Sequence, residues 1–242
     1  MSDDIKNNSN LRSNFRTVML RPDLGAIVGV ILVFLFFFLV ARDTGMFSLE
    51  GSMNWGIVSS QFIIIAVGAC LLMIAGEFDL SVGSMIGFAG IVIAVTSVVW
   101  GWPVWLSIIS AFAISMAIGA LIGYITISTN LPSFIVSLAF LYILRGLTIF
   151  IAIISTKKTI IGGVTEVAQD DWLAPIFGGE IFTGVFQWLA EQGIIQTFVA
   201  GTKAGQPVVS GIPMMMVWAL GLIVFAHFLL TKTRFGNWIY AS

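Results

Sequence analysis

Hydrophobic residues along this chain occur in long runs that short polar stretches separate. Most runs hold about 18 or more residues, which at about 1.5 Å per residue is enough to cross an apolar layer about 30 Å thick. The runs do not alternate apolar and polar positions in segments of about ten, so a β-barrel is not expected. The pattern predicts an all-α, polytopic transmembrane bundle of about six spans: Leu24 to Ala41, Ile57 to Ala75, Met85 to Trp100, Val104 to Thr126, Phe134 to Ile154 and Pro213 to Leu230.

Polar residues concentrate in two places outside these runs. Residues 1–23 form a basic tail, and residues 24–242 form the predicted transmembrane domain. No small-residue cleavage site follows the first run, so we expect a retained span and not a signal peptide. Residues 155–212 are predicted to form an outer loop with a short amphipathic helix from Ile181 to Ile195. Such a loop serves either as a docking surface or as a cap.

The composition supports a membrane protein and argues against several functional classes. The 242 residues are 58% hydrophobic and only 10% charged, with a mean hydropathy of +1.04, whereas soluble domains carry about 25% charged residues. The Lys and Arg residues form no basic stripe, so nucleic-acid binding is not expected. The single cysteine, Cys70, lies inside an apolar run, and no Cys/His spacing indicates zinc. We therefore expect no metal site.

No catalytic constellation appears in the sequence. The single histidine, His227, lies near the end of the last span, where a packed or interfacial role is expected in preference to a proton relay. The phosphate-binding pattern G-x-x-x-x-G-K-[ST] does not occur, so the chain is not expected to hold ATP in that way. We expect a chain that is not an enzyme and binds no cofactor. If ATP drives transport, another subunit holds ATP and Mg²⁺.

The distribution of basic residues predicts the orientation of the spans, because Lys and Arg near span ends are retained in the cytoplasm. A cytoplasmic N-terminus leaves six of them inside: Lys6, Arg12, Arg16, Arg21, Lys232 and Arg234. The outer side then holds Arg42, and three more in the long loop, where the rule has little force: Lys157, Lys158 and Lys203. Three tryptophans, which favour interfacial depth, flank the predicted outer turn after the third span: Trp100, Trp102 and Trp105.

The stretch AGEFDLSVGS, Ala75 to Ser84, places two carboxylates between apolar runs with no cation nearby in sequence. In one interpretation, Asp79 is a helix N-cap whose carboxylate accepts a hydrogen bond from the backbone N–H of Ser81 or Val82. Glu77 then adds a favourable charge near the positive end of the helix dipole. In the other, the polar helix start faces a water-filled pathway and binds a polar solute, as broken helices do in transporters. Both interpretations can hold together.

Arg145 falls near the centre of the fifth run, in LYILRGLTIF. Insertion scales assign an arginine at that depth an unfavourable free energy of about 2.5–3.5 kcal/mol, so its side chain should face protein and not lipid. Alternatively, Phe134 to Leu144 is a partial or re-entrant piece, which leaves Arg145 at an interface next to Gly146. Both alternatives are open at this point.

Three motifs give the chain a resemblance to a known family: GEFDLSVGS at Gly76 to Ser84, LPSFIVSLAFLYILRGLT at Leu131 to Thr148, and TRFGNWIYA at Thr233 to Ala241. The motifs occur in the family's order, and the hydropathy between them also fits. The chain therefore resembles the permease subunits of bacterial ATP-binding-cassette (ABC) importers for simple sugars. These are the ribose, xylose and galactose class. The related branched-chain amino-acid permeases lack a DLSVG stretch of this kind, which favours the sugar branch.

The resemblance implies a multi-span permease subunit in the bacterial inner membrane. It implies a second permease copy that forms a homodimer, two cytoplasmic ABC ATPases that hold ATP and Mg²⁺, and a periplasmic sugar-binding protein. Family members also continue past the equivalent of Tyr240 with a GGN-containing segment, a cytoplasmic coupling helix and further spans. We therefore expect an N-terminal fragment or truncated reading frame that lacks about the last third of the usual length. The outer loop is longer than is usual for the family.

We expect the chain to pass a monosaccharide-sized polyol inward along a path between helices. The candidates for its polar lining, or for the framework that shapes it, are Glu77, Asp79, Ser81 and Arg145. Carboxylates and hydroxyls suit this task because they exchange hydrogen bonds with sugar hydroxyls. The competing hypothesis is a secondary transporter or channel in which Asp79 or Glu77 carries a coupling proton or ion. A third hypothesis, a membrane scaffold that transports nothing, does not explain why charged residues occur in the membrane-spanning region.

Overall fold

The computed structural model describes residues 22–199 and 204–241, and most of these residues are helical. A 3₁₀ turn at Arg42–Thr44 follows the first helix, and a π-helical turn at Val95–Val99 extends the third. The helices and two short strands follow one another along the chain: α1 Pro22–Ala41, α2 Leu49–Ile74, α3 Val82–Ala94, α4 Val104–Thr129, α5 Ser133–Thr156, α6 Val164–Ala168, α7 Ala174–Gly178, β1 Glu180–Ile181, α8 Thr183–Glu191, β2 Ile212–Pro213, α9 Met214–Lys232 and α10 Arg234–Ala241.

Six of the described helices are long and apolar enough to cross a membrane, so the predicted all-α transmembrane fold is confirmed. They are α1, α2, α3 with its π-helical turn, α4, α5 and α9. Helix α2 starts at Leu49 and not at the predicted Ile57. The reason is local, because the Ser48 hydroxyl accepts the backbone N–H of Gly51 at 3.1 Å and supports a first turn that is partly polar.

The predicted orientation rests partly on residues outside the described ranges. These are Lys6, Arg12, Arg16, Arg21 and Lys203. The cytoplasmic position of both chain ends, and the boundary of the basic tail at residue 23, therefore stay predictions.

The chain divides into two compact units, with the boundary after Asn54. In the first unit the rings of Phe38 and Phe47 pack edge to face, with 5.6 Å between their centroids. The second unit contains the hydrophobic core and all four candidate site residues.

The core of the second unit lies where α3, α4 and α5 pack together. Four core residues of α3 recur at helical spacing: Phe88, Ile91, Val92 and Val95. They pack against one residue of α4 and two of α5: Ala111, Leu144 and Ala152. Because two of these partners are alanines, the helix backbones can approach one another closely. Helix α3 is therefore the central helix of this bundle.

Helix α3 ends in its π-helical turn, where a side-chain hydroxyl supports the backbone. Thr96 Oγ1 donates to the Val92 carbonyl at 2.7 Å, and Trp102 N donates to the Thr96 carbonyl at 2.9 Å. Gly101 has a φ of +69°, a left-handed conformation that glycine adopts without strain and that turns the chain toward α4. The exposed rings of Trp100 and Trp102 lie 5.5 Å apart. The predicted turn is confirmed, and its position on the outer side stays a prediction.

Residues 157–213 connect α5 to α9, and in their described part α6 packs on the π-helical turn and Ile161 packs on the core. Ring stacking and hydrogen bonds provide two further attachments to the spanning helices. At the first, the ring of Phe177 in α7 stacks on Trp218 of α9, with 5.8 Å between centroids and 9° between planes. Phe177 also lies 6.2 Å from Phe112 of α4, and Trp218 Nε1 donates to the Ile176 carbonyl at 2.8 Å. Strand β1 follows α7 and pairs antiparallel with β2, so that Glu180 lies opposite Pro213 and Ile181 opposite Ile212. The predicted loop is therefore a folded, attached segment.

The amphipathic helix predicted from Ile181 to Ile195 is present but shorter. Helix α8 ends at Glu191, because Gly193 adopts a φ of +69° and donates its N–H to the Ala190 carbonyl at 2.9 Å. This left-handed glycine cap stops the helix before the apolar pattern ends.

The second attachment is the carboxylate of Asp171. One oxygen accepts the backbone N–H of Trp105 at the start of α4, and the other accepts that of Leu173, each at 3.0 Å. Desolvation by itself raises the pKa of Asp171, but hydrogen bonds from four backbone N–H groups outweigh it, so this pKa lies below its ordinary value. The ionised carboxylate thus satisfies the first turn of α4 from a position 66 residues away in sequence.

We expect Asp171→Asn to lower the thermal unfolding midpoint at neutral pH, because the amide loses the charge that favours a helix start. Because the pKa of Asp171 is lower in the folded state, its ionisation stabilises the fold at any pH above the unfolded-state pKa of about 3.9. This stabilisation is lost as the pH falls through the folded-state pKa, so wild type and variant should converge in acid. Melting curves of the purified protein at neutral and acid pH measure the difference.

Asp170→Asn is the matched control for this change. Its exposed carboxylate neighbours Asp171 but accepts no hydrogen bond within the described part of the chain. Equal shifts for the two variants would contradict the capping role of Asp171.

Candidate functional site

Helix α2 ends at a glycine that reverses the chain toward α3. Gly76 adopts a φ of +80° and donates its N–H to the Met73 carbonyl at 3.0 Å, while Glu77 N donates to the Leu72 carbonyl at 3.1 Å. This pair of bonds is a Schellman C-cap, which satisfies carbonyls that the helix end leaves free. The side chain of Glu77 is exposed just beyond it. Residues 76–81 are therefore a tight, defined connection between two spans.

Asp79 makes the hydrogen bond that the sequence predicts, although it is not the N-cap residue. Its Oδ1 accepts the backbone N–H of Ser81 at 2.7 Å and the Ser81 hydroxyl at 2.6 Å. Helix α3 begins at Val82, so Ser81 occupies the N-cap position and Asp79 lies two residues before it. The N-cap assignment of Asp79 is wrong for this reason, since the chain needs two more residues to turn into the helix. Ser81 is fully buried.

Two serines at the start of α5 hold the same connection from outside. Ser133 Oγ accepts the backbone N–H of Phe78 at 3.0 Å, and Ser137 Oγ accepts that of Leu80 at 3.0 Å. Ser137 can in turn donate to the Phe78 carbonyl at 3.4 Å, and its side chain is 0% exposed. We call the set Asp79, Ser81, Ser133 and Ser137 the serine clamp. Sequence reasoning missed its two α5 members, although hydroxyls one turn apart at the start of an apolar span are a visible signal.

Asp79 also lines a cleft of about 490 Å³ between α2 and α3. It is the single ionisable residue among those that line the cleft, and the remaining walls are apolar or glycine: Ile64, Ile65, Gly68, Ala69, Leu72, Val82, Met85, Ile86 and Ala89. The acidic group at the edge of this cleft is already hydrogen-bonded, because one oxygen of Asp79 accepts both bonds from Ser81.

Arg145 lines a second opening, a groove of about 440 Å³ between α3 and α5. Its walls carry two glycines, two hydroxyls and two aliphatic side chains: Gly83, Ser84, Gly87, Leu141, Thr148 and Ile149. Helix α5 runs without interruption through Arg145 and Gly146, so the partial-helix alternative does not hold and the arginine lies at mid-span. Its exposed guanidinium makes no ion pair or hydrogen bond within residues 22–199 and 204–241. We call this opening the Arg145 groove.

The structure does not bring the four candidate residues into one site. Asp79 and Ser81 lie beside Ser133 and Ser137, whereas Arg145 lies eight to twelve residues further along α5. At about 1.5 Å per residue this separates them by about 12–18 Å along the helix axis. Glu77 is exposed at the clamp end and lines neither opening. The candidates therefore divide into a clamp at one end of α3 and a free cation along its side.

Comparisons with known proteins agree that the chain is similar to membrane permeases. The family described as branched-chain amino acid transport system / permease component matches residues 52–242. The xylose transport system permease protein XylH of Escherichia coli (strain K12) is 28% identical over 239 residues, which cover 88% of this chain and 61% of that protein. No solved structure matches the chain.

Two further Escherichia coli (strain K12) proteins match a shorter part of the chain. The ribose import permease protein RbsC is 30% identical over 181 residues, covering 74% of this chain and 45% of its own length. The inner membrane ABC transporter permease protein YjfF is 28% identical over 180 residues, which cover 74% of this chain and 44% of YjfF. The chain thus spans less than two thirds of the length of each of these relatives. With the six spanning helices, they indicate a multi-pass inner-membrane protein.

We expect Asp79→Ala to lower the free energy of unfolding by about 0.5–2 kcal/mol, because Ser81 N and its hydroxyl lose their acceptor. Asp79→Asn should have a smaller effect, since an amide oxygen can accept the same bond. Chemical unfolding of the protein in detergent micelles measures both. Glu77→Gln is the control, because the Glu77 side chain is exposed and without a hydrogen bond in the described structure. A loss as large for Glu77→Gln as for Asp79→Ala would refute the structural role of Asp79.

Proposed function

Because the chain belongs to the family described as branched-chain amino acid transport system / permease component, we propose that it is the membrane-spanning permease subunit of an ATP-driven importer. In this proposal it forms the translocation path for a monosaccharide. The relatives named for xylose and ribose transport support a sugar as the solute. The DLSVG stretch at Asp79 to Gly83, by which the sequence resembles the sugar branch, supports the same choice.

The observation that carries the proposal is the unpaired charge of Arg145 at mid-span. A guanidinium that faces hydrocarbon is unfavourable, so such residues face protein or a water-filled path. The carboxylates nearest to it in the spanning part of the second unit, Glu77 and Asp79, lie at the clamp end and cannot reach it. A second copy related by an axis normal to the membrane would hold its own Glu77 and Asp79 at that same level. Water and solute are then the natural partners of Arg145.

The groove around Arg145 has the chemistry that a neutral sugar requires. The guanidinium offers five N–H donors to sugar oxygens, and Ser84 and Thr148 add hydroxyls. Leu141 and Ile149 offer apolar surface to the C–H face of a sugar ring. We assign Arg145 to the lining of the path, and Asp79 and Ser81 to the framework that shapes it. Glu77 is a candidate for the mouth of the path, since its side chain is exposed.

The proposed partners follow from the same relationship. A homodimer of permease subunits, a cytoplasmic ABC ATPase that holds ATP and Mg²⁺, and a periplasmic sugar-binding protein complete the importer. Relatives named as an ABC transporter permease and an import permease support these partners. The N-terminus is cytoplasmic in this arrangement, and no cofactor binds to this chain.

Energy coupling separates the proposal from a proton- or ion-coupled transporter. In cells that express the protein with the ATPase and binding protein of its own operon, uptake of radiolabelled D-xylose or D-ribose should stop when ATP is depleted while the proton gradient is preserved. Collapse of the gradient with ATP maintained should leave uptake in place. Continued uptake without ATP would falsify the ABC assignment and favour a coupling carboxylate at Asp79 or Glu77.

We expect Arg145→Met to reduce the maximal uptake rate about tenfold or more, equivalent to about 1.4 kcal/mol in the transport barrier. Apparent affinity should change little, because a separate binding protein captures the sugar. Thermal stability should not fall, since the change removes an unfavourable charge from mid-span. Uptake kinetics and melting curves measure the two effects, with Arg42→Gln, at the end of the first span, as a control. Unchanged uptake would remove Arg145 from the path, and lost stability would make it a packing residue.

A further inference from the structure

We propose that Ser137 is a positioning residue whose hydroxyl sets the width of the Arg145 groove. The serine clamp fixes the start of α3 against α5, and these two helices form the two walls of the groove. The effect on transport rests on the proposed function, whereas the effect on the groove does not.

Ser137 is the fully buried clamp member on α5. Its Oγ accepts Leu80 N at 3.0 Å and lies 3.4 Å from the Phe78 carbonyl, in a fully buried position. One hydroxyl therefore reaches two backbone groups of a connection that is 57 to 59 residues away in sequence. Loss of this acceptor would leave a partly buried N–H without its partner, so the bond resists sliding of the connection along α5. Ser133 is half-buried and makes the outer contact, also at 3.0 Å.

Ser137 also shares a helix face with the groove. On α5, positions 137, 141, 145 and 148 are separated by three or four residues, so they form one stripe along the helix. The last three line the groove, and Ser137 lies at the clamp end of the same stripe. On α3, Gly83 and Ser84 follow within the first turn after the connection that the clamp holds. A shift at the clamp is therefore transmitted directly to both walls.

The two glycines of α3 that line the groove contribute little to the spacing of its walls. A Cβ added to Gly83 would meet no atom within 4 Å, and one added to Gly87 would just touch Thr148 Cγ2 at 4.0 Å. The close packing of Phe88 and Leu144 begins further along the helices. Between the clamp and that core, the Ser137 hydroxyl is the side-chain hydrogen bond that ties α5 to the connection before α3, and Met85 packs on the core beside it.

Ser107 provides a matched control for this role. It is also a 0% exposed serine on a spanning helix, but its hydroxyl bonds only to the Pro103 carbonyl, one turn earlier in the chain, at 3.3 Å. Ser107→Ala and Ser137→Ala remove the same atom from equally buried positions. Only the second removes a bond between α5 and the start of α3.

The experiment measures the groove directly in the full chain. Cys70 is the single cysteine, so Cys70→Ala provides a background in which spin labels report only chosen positions. Labels at Ser84→Cys and Leu141→Cys lie on opposite walls, and their dipolar coupling in lipid vesicles gives the distance between walls. Ser137→Ala should broaden this distance distribution and shift it, whereas Ser107→Ala should leave it unchanged. An unchanged distribution in Ser137→Ala would overturn the proposal.

Ser133→Ala keeps the test decisive should Ser137→Ala not fold. It removes the outer clamp bond at a half-buried position and should broaden the same distribution to a smaller extent. No change in Ser133→Ala, with Ser137→Ala unfolded, would assign the clamp to folding alone and overturn the proposal.

Transport adds a readout that loss of stability alone does not give. Ser137→Ala should lower the maximal uptake rate of D-xylose or D-ribose about fivefold with unchanged apparent affinity, at a temperature well below the melting midpoints of both Ser137→Ala and Ser107→Ala. Equal uptake by the two variants would overturn the link between groove width and transport. A broadened distance distribution in a protein that transports neither sugar would instead uphold the positioning role and count against the proposed function.

Discussion

The rest of this structure depends on the scarcity of water inside a bilayer, where each backbone N–H and C=O needs a partner within the protein. Helices meet this demand along the six spans. The difficult places are those where the chain leaves a helix, and there side-chain oxygens take over. Asp79 and the α5 serines serve the connection between α2 and α3, and Asp171 serves the start of α4. Each uses oxygen atoms that lie outside the helix being satisfied.

These contacts explain why α3 can be both central and accessible. Its far half is covered by the core residues of α4 and α5, which hold it by close packing. Its near half carries glycines and faces the two openings, so fewer of its residues pack on the core. The serine clamp adds hydrogen bonds at this end of the helix. One element thus combines a closely packed half with a half that lines two openings.

Much of the fold was predictable because long apolar runs leave few alternatives. The spans, the tryptophan turn and the bond from Asp79 to Ser81 all follow from local sequence. The start of α2 did not, since the cap at Ser48 lies before a partly polar turn. The α5 serines were missed because they pair with residues 55 to 57 positions away, and nothing local indicates that pairing. The division between clamp and groove likewise depends on which face of α3 each helix covers.

In the proposed transport path, the glycines opposite Arg145 bear on the time that a solute would spend in the groove. A wall of Gly83 and Gly87 offers no side chain to hold the guanidinium in one rotamer. A donor group that can swing accompanies a passing solute over several ångströms, exchanging one hydrogen bond for the next. Permeation requires binding that is strong enough for entry and weak enough for release. In the proposed path, an arginine that faces a smooth glycine wall would therefore favour short residence over tight capture.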